Sequence, residues 1–428
     1  MTSTDPDPQE LDRVAEKFAT SIRAGEDPCI DTLVRQYPQD AGQLRELLNS
    51  IAMIERMKQQ NVAGGSDREH DPLTVQQLDD YRIVREIGRG GMGLVFEAID
   101  QSLHRRVAIK VLPSGLLSDP RNVDRFRREA RAAARLRHPN IVSVFGVGQS
   151  EQYHYYVMDY IDGINLRQWI GYAAGETEDV FATRYDTISD EYDAAVTGDA
   201  QETTCDNVSR IASAANIPTN TDSQEYFRWV SRVGIMISDA LDYAHAQDTL
   251  HRDIKPANLL IDQQGVVSIT DFGLAKVSEH QGVTRTGDVL GSPRYMAPES
   301  FTQHYDAKSE TYAVGLTLYE LMTLQPAIDA TSPAEILRKA ALGTTVPPRK
   351  RSSHLPRDLE TILLKALAVS PADRYASAAA LRDDLDHYLN DLPISARRSG
   401  PLERLHRWSR REPVVASLTL VTFASVFI

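Results

Sequence analysis

The chain has 428 residues, 42% of them apolar and 25% charged, with a formal net charge of −13. That length accommodates two or three domains, one of them large, in an ordinary globular composition. The acidic balance excludes a nucleic-acid-binding main body, because a phosphate backbone attracts basic surface. Two isolated cysteines, Cys29 and Cys205, exclude a disulfide framework and point to a reducing compartment.

The opening "MTSTDPDPQELD" is acidic and lacks the basic and apolar regions of a signal peptide, so no secretion signal is expected. Residues 1–62 read as a small helical domain. Leu11, Val14, Phe18 and Ile22 share one face at the 3.6-residue period, and Leu44, Leu47, Leu48, Ile51 and Ile54 share another. "AGEDPC" and "QYPQDAG" break the helices between them, and no chemistry is visible there. Residues 63–80 make a polar linker. From Tyr81 the pattern changes to short β-rich runs, "YRIVREIG", "GLVFEAID" and "RRVAIKVL", read as consecutive antiparallel strands. A charged helix, "NVDRFRREARAAARLR", and two further apolar runs, "IVSVFGVG" and "YYVMDYI", follow. Beyond about residue 225 the chain is mostly helical. Strands first and helices later predict an α+β body of two unequal lobes over 81–391.

Two segments stand apart. An insertion over about 171–224 is rich in Asp and Glu, with Arg184 and Arg210 its basic residues, which predicts a solvated excursion, disordered or loosely helical. Near the C-terminus a basic stretch over 392–412 precedes "VVASLTLVTFASVFI", which has no charged residue. A hydrophobic helix packed on the core is one reading. Trp408 and the arginines before the run favour the other, a transmembrane helix over 413–428 shortened where the chain ends. Arg397, Arg398, Arg404, Arg407, Arg410 and Arg411 would mark the cytoplasmic flank. The expected location is the inner membrane, single-pass, with the main body in the cytoplasm.

"GRGGMGLV", Gly88 to Val95, lies between two strands. Glycines let a backbone approach phosphates and offer N–H donors, but glycine-rich hairpins are common. A dinucleotide fold would continue into a helix, and here a strand follows. "VAIK" ends in Lys110 within an apolar run. A surface lysine is the default reading, whereas a buried one needs an anion or carboxylate. Glu129 of the charged helix can be that partner, leaving Lys110 to hold nucleotide phosphates. "HRDIKPANLL", His251 to Leu260, reads as a solvated turn or as a catalytic loop with an acid to take a proton and an amide to hold a metal. "DFG" (Asp271 to Gly273) ends a short strand and, alone, is a turn. "APE" (Ala297 to Glu299) follows a loop containing Thr284, Thr286 and Ser292.

In this order the five motifs resemble the signature set of eukaryotic-type (Hanks-type) serine/threonine protein kinases, closest in character to bacterial membrane-anchored receptor kinases. The resemblance spans about residues 81–390. It implies the bilobal protein-kinase fold, with a small antiparallel sheet plus one helix above a larger helical lobe. It also implies ATP as phosphoryl donor, Mg²⁺ (or Mn²⁺) as cofactor, and protein Ser/Thr as acceptors. The implied catalytic residues are Asp253, which accepts or orients the acceptor proton, Lys255, which contacts the γ-phosphate, and the pair Lys110 and Glu129. Asn258 and Asp271 are the implied metal ligands. The implied nucleotide site takes Ile87, Gly88, Arg89, Gly90, Gly91, Met92, Gly93, Leu94 and Val95 from the glycine loop. It adds Ala108, Lys110 and Leu260, the gatekeeper Met158, and Tyr160 beside Asp159 in the hinge. Glu299 and Arg374 match a bracing ion pair. Thr284 and Thr286 are expected autophosphorylation sites, and dimerisation would serve that reaction.

Two departures set this chain apart. Glu310 stands where the family has an aspartate that receives backbone hydrogen bonds from the catalytic loop, and the extra methylene predicts a shifted loop and reduced activity. The acidic insertion has no counterpart in the motif set. Both support an alternative reading, a catalytically weak pseudokinase acting as a membrane-tethered binding scaffold.

Overall fold

The computed structural model describes parts of 14–48, then 76–112 except 91 and 92, 120–150, 153–176, 201–272, and 293–396 except 303 and 331. Near the N-terminus the short helix α1 (Ile30–Gln36) is formed, and Phe18, Ile22, Val34 and Leu48 are buried together in a small cluster of their own.

The upper lobe is a six-stranded sheet. Its strands are β1 (Gln77–Leu78), β2 (Tyr81–Gly90), β3 (Gly93–Asp100), β4 (Arg105–Leu112), β5 (Val144–Gln149) and β6 (His154–Asp159). All neighbours are antiparallel, in the order β1-β2-β3-β4-β6-β5. The period-2 alternation of strands decides which side chains meet the cleft. Val107, Ile109 and Val111 of β4 join Leu94, Phe96 and Ala98 of β3 in one apolar cluster, while Ala108 and Leu112 face the main core. Lys110, between Ala108 and Leu112 in this alternation, therefore points to the same side as they do. The glycine-rich motif forms the β2–β3 hairpin, with Gly88 opposite Val95 and Gly90 opposite Gly93. A Cβ on Gly93 would lie 2.5 Å from the Val111 carbonyl oxygen, so only glycine lets the hairpin approach β4. Helix α2 (Pro120–Ala133) buries Phe126, Ala130 and Ala133 in the main core and carries Glu129 on that same face.

Beyond β6 the chain passes through β7 (Gly163–Asn165) into α3 (Leu166–Ala173), whose start is fixed by a reciprocal Asn165–Gln168 capping box. β8 (Leu259–Asp262) and β9 (Val267–Ile269) complete a three-stranded sheet with β7. Val142 N donates to Ile269 O and Ile269 N to Asn140 O, both at 2.9 Å, which ties the segment before β5 to the lower lobe.

The lower lobe is built on α5 (Gln224–Ala246) and α6 (Ala307–Thr323), with α7 (Pro333–Ala341), α8 (Arg357–Ala366) and α9 (Ala378–Leu389) around them. α6 is buried on every side from Ser309 to Thr323. Two of its threonine hydroxyls bond back within the helix, Thr311 to Ala307 O and Thr323 to Tyr319 O.

The acidic insertion corrects one expectation. Part of it is helical, as one alternative had it, but anchored and not loose: α4 (Gln201–Ala214) buries Val208, Ile211 and Ala212, and Ile217 follows them into the main core. Residues 177–200 lie outside the described residues, as do the basic stretch after 396 and the apolar run 413–428. Among the described residues no helix is long and apolar enough to cross a membrane.

Candidate active site

Between the lobes, β4 brings Lys110 against α2 and the segment after β9. Its Nζ donates to Glu129 Oε1 at 3.1 Å and to Asp271 Oδ1 at 2.8 Å. Burial alone would lower the lysine's pKa, but the Asp271 and Glu129 carboxylates raise it well above the ordinary value, so the side chain is a fixed cation. Burial likewise opposes ionisation of Asp271, and Lys110 overcomes it and holds the carboxyl below its usual range. Burial pushes Glu129 above its ordinary value against the pull of Lys110, with the like charge of Asp271 adding to the push. Tyr156 Oη donates to Glu129 Oε1 at 2.8 Å, while Glu129 Oε2 is buried with no hydrogen-bond partner among the described residues.

The loop at 251–258 is rigidly organised. His251 is fully buried; its Nε2 donates to Thr270 O at 2.7 Å and its Nδ1 accepts from Asp253 N at 3.1 Å, which places the ring proton on Nε2. Asp253 Oδ2 lies 3.2 Å from Lys255 Nζ and accepts from Asn258 Nδ2 at 3.0 Å. Asn258 Nδ2 also donates to Asp253 O at 2.7 Å. Both amide protons of Asn258 are thereby used, and its carboxamide oxygen is the donor left for a cation. Arg252 and Asp271 both take left-handed backbone, with φ of 71° and 61°. A non-glycine residue adopts that region at a cost, and such residues concentrate at functional sites.

What holds Arg252 there is Glu310. The fully buried carboxylate accepts from Arg252 N at 2.6 Å through Oε1, and Oε2 lies 2.6 Å from His245 Nε2. Tyr305 Oη adds a 3.3 Å bond to Oε1. The backbone hydrogen bond expected at this position persists with the longer side chain. The longer arm still reaches the loop's backbone, and His245 at the end of α5 anchors its second oxygen. His245 was not legible as a site residue, because a histidine in the last turn of a helix reads first as a partner for the helix dipole.

Glu299 and Arg374 meet as expected, in a bidentate pair at 2.6 and 2.7 Å. The adenine-side residues also converge. Ala108 and Met158 are register partners and buried, and Val95, Tyr160 and Leu260 pack against the same cluster. Ile87 is largely exposed. Leu94 is a correction: its side chain belongs to the cluster on the opposite face of the sheet, so it can serve a ligand only through its backbone. Arg89 and Gly90 close β2. Gly91, Met92, Gly273, Thr284, Thr286 and Ser292 lie outside the described residues.

Asn258 and Asp271 offer oxygen donors, the chemistry a hard divalent cation requires. Among the described residues no group of three or more His, Cys, Asp or Glu could hold a metal. Two such donors suit an ion that completes its shell with phosphate oxygens and water, as Mg²⁺ does in nucleotide sites. The Lys110 cation between the Glu129 and Asp271 carboxylates makes the cleft a charged site.

Comparison with known proteins shows the family. Residues 81–385 match the family model described as protein tyrosine and serine/threonine kinase. The serine/threonine-protein kinase PknB of Mycolicibacterium smegmatis is 34% identical over 320 residues, covering 73% of this chain and 43% of that protein. The serine/threonine-protein kinase PrkC of Bacillus subtilis is 33% identical over 306 residues, covering 71% and 40%. The crystallised PknI kinase domain of Mycobacterium tuberculosis matches at 26% identity, covering 74% of this chain and 98% of that one, with a TM-score of 0.47. The chain thus spans less than half the length of these two curated relatives. With its motifs assembled in one cleft and its family model matched from 81 to 385, the chain belongs to the protein kinase family, among the Hanks-type serine/threonine kinases.

Proposed function

We propose that this protein transfers the γ-phosphoryl group of ATP to Ser and Thr hydroxyls of protein substrates. The observation that carries this reading is the convergence of Lys110, Glu129 and Asp271 with Asp253, Lys255 and Asn258 in one cleft. Asp253 takes the acceptor's proton as its oxygen bonds to the γ-phosphorus. The bond from that phosphorus to the β–γ bridging oxygen breaks, and ADP leaves with the electron pair. Lys255 donates to the γ-phosphate oxygens, and Lys110 to those nearer the adenosine. Mg²⁺, or Mn²⁺ in its place, held by Asn258 and Asp271, would neutralise phosphate charge. Little covalent work falls to the protein, which positions the groups and balances their charge. A pseudokinase is not supported, because the family model and the relatives that the chain matches are those of serine/threonine kinases.

Three finer readings accompany it. Thr284 and Thr286 are autophosphorylation sites, supported by the cation of Arg252 next to the catalytic acid. A dimer would bring one activation segment to a second active site. The apolar run 413–428 with its arginine flank anchors the kinase to the inner membrane, body in the cytoplasm. Incubation with radiolabelled ATP, Mg²⁺ and a generic protein substrate, followed by phosphoamino-acid analysis, should find label on Ser and Thr. No transfer, or label on Tyr alone, would overturn the reading.

A further inference from the structure

A chain of charged side chains crosses the outside of the hinge, and the insertion helix supplies its last member. It begins at Glu97 on β3, whose carboxylate is 7% exposed and sits between two arginines. Arg85 Nε of β2 donates to Oε2 at 2.9 Å and Arg106 Nε of β4 to Oε1 at 2.8 Å. Both arginines then turn to Tyr160 in the hinge. The Arg106 guanidinium carbon lies 4.1 Å from the ring centroid, and Arg85 Nη2 donates to the Tyr160 hydroxyl at 3.3 Å. Arg106 Nη1 continues to Asp162 Oδ2 at 3.4 Å. From there two contacts reach the lower lobe. Gln263 Nε2, in the β8–β9 turn, donates to Asp162 Oδ2 at 3.0 Å, and Arg210 Nη2 of α4 lies 3.7 Å from Oδ1.

The sequence of contacts thus runs from the upper sheet, over the hinge tyrosine, to two lower-lobe elements. One of these is the helix that has no counterpart in the kinase motif set. α4 is not loosely attached, since Val208, Ile211 and Ala212 fix it in the core that the nucleotide site also borders. A guanidinium lying on an aromatic ring, bonded through Nε to a buried carboxylate and through Nη1 to a second one, has few alternative rotamers, so it restrains the ring beneath it.

We infer that Arg106, Asp162 and Arg210 are positioning residues for nucleotide binding, and that the insertion helix serves as a brace through which the lower lobe sets the hinge. This deepens the kinase reading and rests on it. Without the brace, Tyr160 and its neighbours sample more backbone arrangements, and ordering them is charged against nucleotide affinity. The phosphoryl-transfer groups are not touched, so the effect belongs to ATP affinity and not to turnover.

The test uses the full chain. Steady-state kinetics with ATP varied and calorimetric ADP affinity are measured for Arg106→Gln, Asp162→Asn and Arg210→Gln, with a thermal melt of each. Exposed ion pairs and cation–π contacts have modest strength. The expected rise in KM for ATP is therefore about fivefold for Arg106→Gln and about twofold for Arg210→Gln, with kcat within about twofold of wild type. Arg210→Lys should restore wild-type affinity, because a point charge suffices at that distance. Arg106→Lys should not, because an ammonium lacks the planar fork. Lower melting temperatures with unchanged KM and ADP affinity would show a merely structural role and overturn the inference, as would a fall confined to kcat. If the wild-type chain binds ADP but transfers no phosphate, the kinase reading fails, and the ADP affinities of the variants still decide the hinge assignment.

Discussion

Two buried ion pairs, one in each lobe's share of the molecule, are built to opposite plans. In the lower lobe, all five N–H groups of Arg374 are used. Nε donates to Ala368 O, Nη1 to Glu299 Oε1 and Lys308 O, and Nη2 to Glu299 Oε2 and Val369 O. Its side chain is fully buried and lies over the Tyr312 ring. In the cleft, a single ammonium serves two carboxylates, and one oxygen of Glu129 accepts nothing from the described residues. Saturation identifies the first pair as structure. The second holds two like charges close around one ammonium, an arrangement suited to a ligand that brings its own cation.

The contrast is broken most severely at Lys110. Lys110→Met leaves Glu129 and Asp271 facing each other with no cation between them. Phosphotransfer should fall by at least ~10²-fold, the scale of losing one preorganised donor to a charged group. Stability should also drop, by up to about 3–5 kcal/mol, because an unpaired charge remains buried. Activity assays with a thermal melt read both. Retained transfer would mean that the cluster is a second structural pair.

For the saturated pair the expected effect is on stability alone. Arg374→Met should destabilise the fold by about 3 kcal/mol while leaving KM for ATP unchanged. The pH dependence sharpens this. Burial opposes ionisation of Glu299, but hydrogen bonds from Arg374 and Ser309 hold its pKa below the ordinary value. A carboxyl with a depressed folded pKa contributes stability that is fully present above the unfolded pKa, about 4.3. That contribution is lost as pH falls through the folded value. Between neutral pH and about pH 3, wild type should therefore lose more melting temperature than Glu299→Gln does. Parallel curves would remove Glu299 from the account.

The smallest effect belongs to Glu310, the support beneath the catalytic loop. Shortening it to aspartate withdraws the carboxylate by about 1.5 Å from Arg252 N and His245, which now sit at 2.6 Å on either oxygen. Glu310→Asp should lower kcat roughly fivefold, the weight of one such hydrogen bond at about 1 kcal/mol, with KM for ATP unchanged. A faster variant would show that glutamate is the handicap the sequence suggests.

Much of this was legible before any coordinates. β3 and β4 fall on the residues where alternation and β-branched content put them, and five ordered motifs located the cleft. The insertion helix was legible in principle. Val208, Ile211, Ala212 and Ala215 keep the i, i+3, i+4, i+7 spacing of a buried face, but the acidic residues around them dominated the composition. The face of Leu94 follows from strand parity, a signal that the glycine-loop motif, which spans both faces, does not carry. Other features were out of reach. Whether Glu310 can span to Arg252 depends on the distance between α6 and a loop 58 residues earlier. That His245 closes the same carboxylate depends on how α5 crosses α6. Nothing in the spacing of Arg106, Asp162 and Arg210 predicts that they meet, because three separate elements must fold before they do.

The central claim, that Asp253 accepts the acceptor's proton in a cleft whose other groups only position and neutralise, is tested most directly by Asp253→Asn. The substitution nearly preserves shape, and ATP is held by other residues. Calorimetric ATP affinity should stay at the wild-type value while single-turnover transfer to a protein substrate falls by at least ~10²-fold. Transfer at a near-wild-type rate, with ATP still bound, would contradict the account.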